Sequence, residues 1–279
     1  MRVAVLGGSS IATVQLAEAI TGWPGGSARR PPLEFALHGR SETKLTAVAA
    51  GFARAAAGAA RTSATVRLAE ALDGADVVLV QVRAGGLPAR SFDESFPWRA
   101  GLPGEETLGP GGLANALRTV QALRGTWPML GRICPGALVI VLTNPAGIVA
   151  RAAAAQGLRA VAVCDSPVAF VETTAARLGA DPATVAARYV GMNHVGWYVP
   201  AGAAELETLC SGQAVAADVV RAHQAVPLGY VRYYTDPDRM YAGQQDRPTR
   251  AQQLMDVEAA ALSALAAVST SGSSVMIIV

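Results

Sequence analysis

In "VCDSPVAF" (163–170) a thiol stands next to a carboxylate within an apolar stretch, and "GMNHVGW" (191–197) supplies an imidazole. Cys164 and His194 could jointly hold a divalent cation, because thiolate and imidazole are both transition-metal ligands. The plain alternative is burial, since lone cysteines and histidines are common core residues. The chain has only three of each. Two further features belong beside this pair. Gly7-Gly8-Ser9-Ser10, in "VLGGSS", sits where a predicted strand hands over to a helix; backbone N–H groups in such a corner favour a pyrophosphate. The strict G-x-G-x-x-G is absent, so a simple tight turn is equally compatible. Asn144-Pro145 closes another apolar run, and Cys164-Asp165 closes a third. Open α/β sheets place ligands at the carboxyl ends of their strands, so Gly7, Asn144 and Cys164 are expected to face one crevice.

The loops "QVRAGGLPARSFDE" and "GEETLGPGGLANALR" carry Arg83, Arg90, Glu105 and Glu106 among glycines. Arginine there suits a phosphate, although solvated charge is the usual fate of a loop arginine. "GYVRYY" places Tyr230, Tyr233 and Tyr234 within six residues, with core packing as the default reading. Arg250 opens a predicted helix, ordinarily a surface position.

These residues need a scaffold, and its periodicity is readable. "RVAVLGGSSIATVQLAEAI" reads as strand, turn, helix. "PPLEFALHGR" is a second strand, and "SETKLTAVAAGFARAAAG" a helix capped by Ser41. "ADVVLVQVR" (75–83) and "GALVIVLTN" (136–144) are apolar runs of the kind buried on both faces of a parallel sheet. "ANALRTVQALRGTW" is helical between them, and "LRAVAVCD" is a further strand. This alternation predicts an α/β fold: a Rossmann-like, doubly wound, mainly parallel sheet over 1–166, like that of lactate and malate dehydrogenases. A smaller, mostly helical α+β part is expected over 167–279, with "ARYVGMNHVGWYVP" as a strand and its partner. "STSGSSVMIIV" reads as a terminal apolar strand.

Composition limits the partners. Of 279 residues, 51% are hydrophobic and 16% charged, which supports a sizeable core and argues against disorder. A net charge of +2 without a basic run gives no case for nucleic acid. Three irregularly spaced cysteines do not form a disulfide framework. Neither a signal-peptide pattern nor a membrane-length apolar stretch is present, so a cytoplasmic location is expected.

Taken in order, "VLGGSS", "QVRAGGLPAR", "DESFPWRAGLPGEETLGPGG", "LTNPAGI", "VCDSPV", "YVGMNHVGW", "YVRYY" and "TRAQQLMDVE" resemble glycoside hydrolase family 4, the NAD- and metal-dependent glycosidases, and its 6-phospho-glucosidases in particular. The resemblance implies that Cys164 and His194 ligate a divalent metal, usually manganese. It implies sugar or phosphate contacts for Asn144, Asn193, Arg90 and Arg250, with Asn144 also near the cofactor. Tyr230 corresponds to the proposed base and Asp165 to the proton donor. The implied reaction oxidises carbon 3 of the sugar, removes the acidified carbon-2 proton, eliminates the glycosidic oxygen, adds water and restores the hydroxyl without net cofactor use; the family is an exception to two-carboxylate glycoside hydrolysis. The implied substrate is a phosphorylated disaccharide or glucoside. "QVRAGGLPAR" leans towards the 6-phospho-β-glucosidases, whereas aspartate after the cysteine occurs in 6-phospho-α-glucosidases. A homo-oligomer, dimer or tetramer, is the expected assembly.

The chain is shorter than the family pattern after His194. That leaves a rival reading, a catalytically degraded nucleotide-binding relative. A 2-hydroxy-acid dehydrogenase is disfavoured, because Cys-Asp and Asn-His stand in place of its Arg/His set. The cofactor itself is expected to be NAD or NADP. NAD-selective sites place an acid at the end of the second strand. Here "HGRS" stands instead, and Arg40 with Ser41 suits a 2′-phosphate unless Arg40 is simply solvated.

Overall fold

A computed structural model of the chain describes residues 1–22, 32–211 and 216–271, with side chains to 267. Two compact units emerge. The first comprises Met1–Phe96, Glu105–Ala162 and the chain from Pro248 onward; the second comprises Pro97–Gly104 and Val163–Arg247. The single boundary expected at 166/167 is therefore corrected to a discontinuous one. The chain leaves the first unit at the end of a strand and returns to it with the last helix.

The first unit runs β1 (Arg2–Leu6), α1 (Ala12–Thr21), β2 (Leu33–His38), α2 (Glu42–Ala55), β3 (Ala60–Thr65), α3 (Leu68–Leu72), β4 (Val77–Val80), α4 (Gly86–Ser95), α5 (Gly109–Leu123), α6 (Thr126–Ile133), β5 (Leu138–Val141), α7 (Ala146–Ala154) and β6 (Arg159–Ala162). The strands pair in parallel in the order β3-β2-β1-β4-β5-β6, the doubly wound Rossmann order. Successive strand residues serve opposite faces. Ala4, Leu6, Val78, Val80, Val139 and Val141 meet Trp127, Leu130 and Val149 on one side. Val3, Val5, Phe35, Leu37 and Leu79 meet Ala17, Ile20, Leu45 and Phe52 on the other. Apolar burial on both faces is why β1, β4 and β5 read as continuous hydrophobic runs. Ser41 caps α2 as expected, its hydroxyl accepting from the Lys44 N–H at 3.4 Å.

The second unit holds α8 (Ser166–Leu178), α9 (Pro182–Ala186), β7 (Tyr189–Met192), β8 (Val195–Tyr198), α10 (Ala203–Cys210), α11 (Ala217–His223), β9 (Val226–Pro227), α12 (Arg232–Thr235) and α13 (Pro237–Ala242). β7 and β8 form an antiparallel hairpin, and β9 joins β8. Its core gathers Ala175, Val185, Tyr198, Leu206, Leu209, Val220 and Val226.

Helix α14 (Arg250–Ser271) rejoins the first unit, where Leu265 packs on Val14 and Val48. Residues 269–271 of the expected terminal strand belong to this helix, and the remainder lies outside the described residues. Among the described residues no helix is long and apolar enough to cross a membrane.

Candidate functional site

In the first unit, the β1–α1 corner is held by backbone. Gly7 has φ +91°, and a Cβ there would lie 2.6 Å from the Gln81 carbonyl oxygen. A Cβ on Gly8 would press to 2.9 Å on that of Leu37. The N–H groups of both glycines donate to the His38 carbonyl, at 3.1 and 2.8 Å. These two amides, expected to face a pyrophosphate, are spent on fastening the loop to β2. The Ser10 amide is spent likewise, donating to the Gly7 carbonyl at 3.0 Å, so what remains towards an anion is the Ser9 amide and the start of α1, whose N-terminus carries no side-chain cap. Gln81, which the sequence reading passed over, braces this corner: its amide donates to the Gly7 carbonyl at 3.3 Å and to the Thr13 hydroxyl at 2.7 Å.

Asn144 follows β5 at the same carboxyl edge of the sheet. Its side chain reaches Glu106 at 3.4 Å, and its carbonyl accepts from Asn115 at 3.1 Å. Arg90 is not a loop residue: it lies in α4, its side chain 14% exposed, pairing with Glu94 at 2.7 Å and Glu106 at 3.0 Å. Arg83 also pairs with Glu106. Burial works against the Arg90 charge, but Glu106 and Glu94 outweigh it and hold the guanidinium above its ordinary range. Burial pushes the Glu105 carboxyl up, against the bonds it accepts from the Thr107 and Leu108 amides. Both loops expected to be either substrate grips or solvated charge thus converge on a buried ionic network.

Glu94 is the residue most clearly missed. Its second oxygen accepts from the Ala251 N–H at 2.8 Å, so one carboxylate joins Arg90 to the start of α14. The i,i+4 spacing of Arg90 and Glu94 was the available signal. A second signal was T-x-x-Q at 249–252: Thr249 and Gln252 exchange side-chain to backbone bonds at 2.7 and 3.2 Å, a capping box. Arg250 is exposed on this first turn and donates to Gln253 at 3.1 Å. Glu94 thus ties Arg90 to the backbone next to Arg250, whose own guanidinium turns to Gln253. Arg40 is exposed after β2.

In the second unit, Asn193 and His194 form the two-residue turn between β7 and β8. Asn193 adopts φ +50°, a left-handed conformation that asparagine tolerates. His194 is 6% exposed, and Tyr230 lies flat on it, with ring centroids 3.9 Å apart and planes 10° from parallel. Tyr233 follows at 6.2 Å from Tyr230. Cys164 is half-buried, and Asp165 is exposed at the start of α8 without a capping bond. Tyr189, on β7 of the hairpin, has its phenol in the neighbourhood of Cys164. Burial raises its pKa, with the neighbouring Cys164 adding to the shift, and a Cβ on Gly196 would fall 1.7 Å from its oxygen. Among the described residues no three His, Cys, Asp or Glu side chains cluster as a metal cage.

The sequence profile described as Family 4 glycosyl hydrolase matches residues 3–180. The chain belongs to this family. Family 4 relatives of known name divide by anomer. The 6-phospho-alpha-glucosidase 1 of Lacticaseibacillus paracasei is 36% identical over 138 residues, covering 48% of this chain and 31% of that protein. The 6-phospho-beta-glucosidase of Escherichia coli K12 is 32% identical over 197 residues, covering 62% and 43%. The chain thus spans less than half the length of either relative. Among solved structures, the 6-phospho-beta glucosidase of Thermotoga maritima, crystallised with manganese, NAD+ and glucose-6-phosphate, superposes with a TM-score of 0.85 at 22% identity, over 100% of this chain and 69% of that one. At that identity the likeness is one of fold, and it agrees with the family 4 assignment.

Proposed function

We propose that this chain is a 6-phospho-glycosidase, with 6-phospho-β-glucosides as the preferred substrates. Family membership supports the reaction class, and the observation that carries the site is the stack of Tyr230 on buried His194. Cys164 and His194 would hold a divalent cation, manganese by preference. Two soft protein donors make a loose site for such an ion, with oxygen ligands needed from substrate and water. The tight β1–α1 corner and the uncapped start of α1 suit a dinucleotide pyrophosphate. When bound, these two groups supply oxidation at carbon 3 of the sugar and acidification of the carbon-2 proton.

The remaining work falls to side chains. Tyr230 would take the carbon-2 proton, with the His194 ring fixing its plane. Asp165, exposed and not committed to a helix cap, would give its proton to the leaving glycosidic oxygen. Arg250 would meet the substrate phosphate, while Arg90, paired with Glu94 and Glu106, would contact the sugar. Asn144 and Asn193 would contact sugar hydroxyls.

The test is release of nitrophenol from the α- and β-nitrophenyl glucoside 6-phosphates, with manganese, dinucleotide and a thiol reductant. Turnover is expected with the β-anomer and its loss with chelator. Absence of turnover with either anomer, by a folded protein that still binds dinucleotide, would favour the non-catalytic relative.

A further inference from the structure

We infer that the β2–α2 turn selects NADP over NAD, with Arg40 as the residue that binds the adenosine 2′-phosphate. The inference deepens the reading above and rests on the first unit taking a nicotinamide dinucleotide. Its first support is geometric. The Gly7 and Gly8 amides bind the His38 carbonyl, so the phosphate-side loop and the end of β2 are locked together. Gly39 continues that contact: a Cβ there would lie 2.7 Å from the Ser9 hydroxyl oxygen. Arg40 and Ser41 come next, beside the corner where dinucleotide folds place the adenosine ribose.

The second support is charge. An NAD-selective strand end offers a carboxylate to the ribose hydroxyls. Here the positions are His38, Gly39, Arg40 and Ser41, with no carboxylate to repel a phosphate. Arg40 is exposed, and among the described residues it makes no ion pair. Arg67, at the neighbouring end of β3, is already engaged by Glu70. Burial disfavours the charged form of His38, and the nearby Arg40 charge adds to that effect. The cation at this turn is therefore Arg40, and a guanidinium binds a phosphate through two parallel N–H bonds. Ser41 adds a hydroxyl at the start of α2. The nearest carboxylate in sequence, Glu42, lies in the first turn of that helix.

Calorimetric titration of the full chain with NADP+ and with NAD+, without metal or sugar, tests this directly. NADP+ is expected to bind on the order of tenfold more tightly or better. Arg40→Ala should abolish that preference and leave NAD+ affinity unchanged, whereas Arg40→Lys should keep part of it. Adenosine 2′,5′-bisphosphate should likewise displace a bound dinucleotide better than AMP does. Because Arg40 is exposed and unpaired among the described residues, circular dichroism should show an intact fold in each variant. Parent protein that binds NAD+ as tightly as NADP+, or whose preference survives Arg40→Ala, overturns the assignment; weaker NAD+ binding by Glu42→Gln would then place the ribose contact on Glu42. Binding of neither dinucleotide overturns this inference together with the dinucleotide site. Intact NADP+ preference without glycosidase turnover would instead count against the proposed reaction alone.

Discussion

Tyr230 and His194 show how far single residues can be read from sequence. Their types suggest a base and a ligand, and the eight ordered motifs suggest a family, but neither indicates that the two rings lie face to face at 3.9 Å. The stack gives a clean experiment, because Tyr230→Phe removes one hydroxyl and keeps the ring on His194. If Tyr230 takes the carbon-2 proton, kcat should fall by about 10²- to 10⁴-fold, the usual contribution of a positioned acid or base. The melting temperature and near-ultraviolet dichroism should be retained. Unimpaired kcat would transfer the role to Tyr233 or Tyr234. Asn193 illustrates the opposite case. It was singled out for substrate, but its left-handed φ gives it a backbone reason for being where it is. Glu94 could have been suspected only from spacing, since a carboxylate on an amphipathic helix ordinarily faces water. Its partners, Arg90 and the Ala251 amide, come from places 4 and 157 residues away.

At the scale of elements, apolar strands were legible and polar ones were not. β1, β4 and β5 are buried on both faces and announce themselves by composition. β3 (Ala60–Thr65) is an edge strand of small and polar residues, and its sequence "ARTSAT" has no apolar run to find. The start of α5 is a similar case. "GPGG" contradicts helix propensity, and as a loop it looks like a substrate grip. The structure gives another cause. A Cβ on Gly111 would lie 2.3 Å from the carbonyl oxygens of both Asp93 and Glu105, and one on Gly112 would lie 2.3 Å from Thr107 backbone. These glycines let α5 approach the end of α4 closely enough for Arg118 to reach Asp93 and for Asn115 to reach Glu106. Gly111→Ala should therefore destabilise despite better helix propensity, by about 3 kcal/mol, as expected for backbone overpacking. Gly125→Ala, where a Cβ meets nothing within 4 Å, should stay within about 0.5 kcal/mol of the parent. Urea midpoints at constant m-value would show the contrast, and equal effects at the two sites would contradict the packing account.

For the whole molecule, the illegible feature is the return of the chain. The alternation of strands and helices up to residue 166 suggests two successive domains, and the sheet does end at Ala162. Nothing local in "RAQQLMDVEAAALSALAAV" says that it belongs with residues some two hundred positions earlier. The answer lies in complementary surfaces. Leu265 is 3% exposed and fills a niche formed by Val14, Val48 and Gly51, where a Cβ on Gly51 would come within 2.7 Å of its Cδ2. The absent side chain at position 51 in α2 is what admits α14. Leu265→Ala should remove that packing and leave a cavity, at a cost of about 2–5 kcal/mol. Gly51→Ala alone should also destabilise, by forcing Leu265 aside. Combined, the two changes should cost less than their sum, because the shorter residue makes room for the added methyl. The loss should also be local. Hydrogen exchange of amides in α2 and α14 should accelerate in Leu265→Ala, while amides of α10, which pack around Leu206 and Leu209 in the other unit, should keep their parental rates. Acceleration confined to α10, or strict additivity of the two substitutions, would show that α14 is not held to the first unit by this niche.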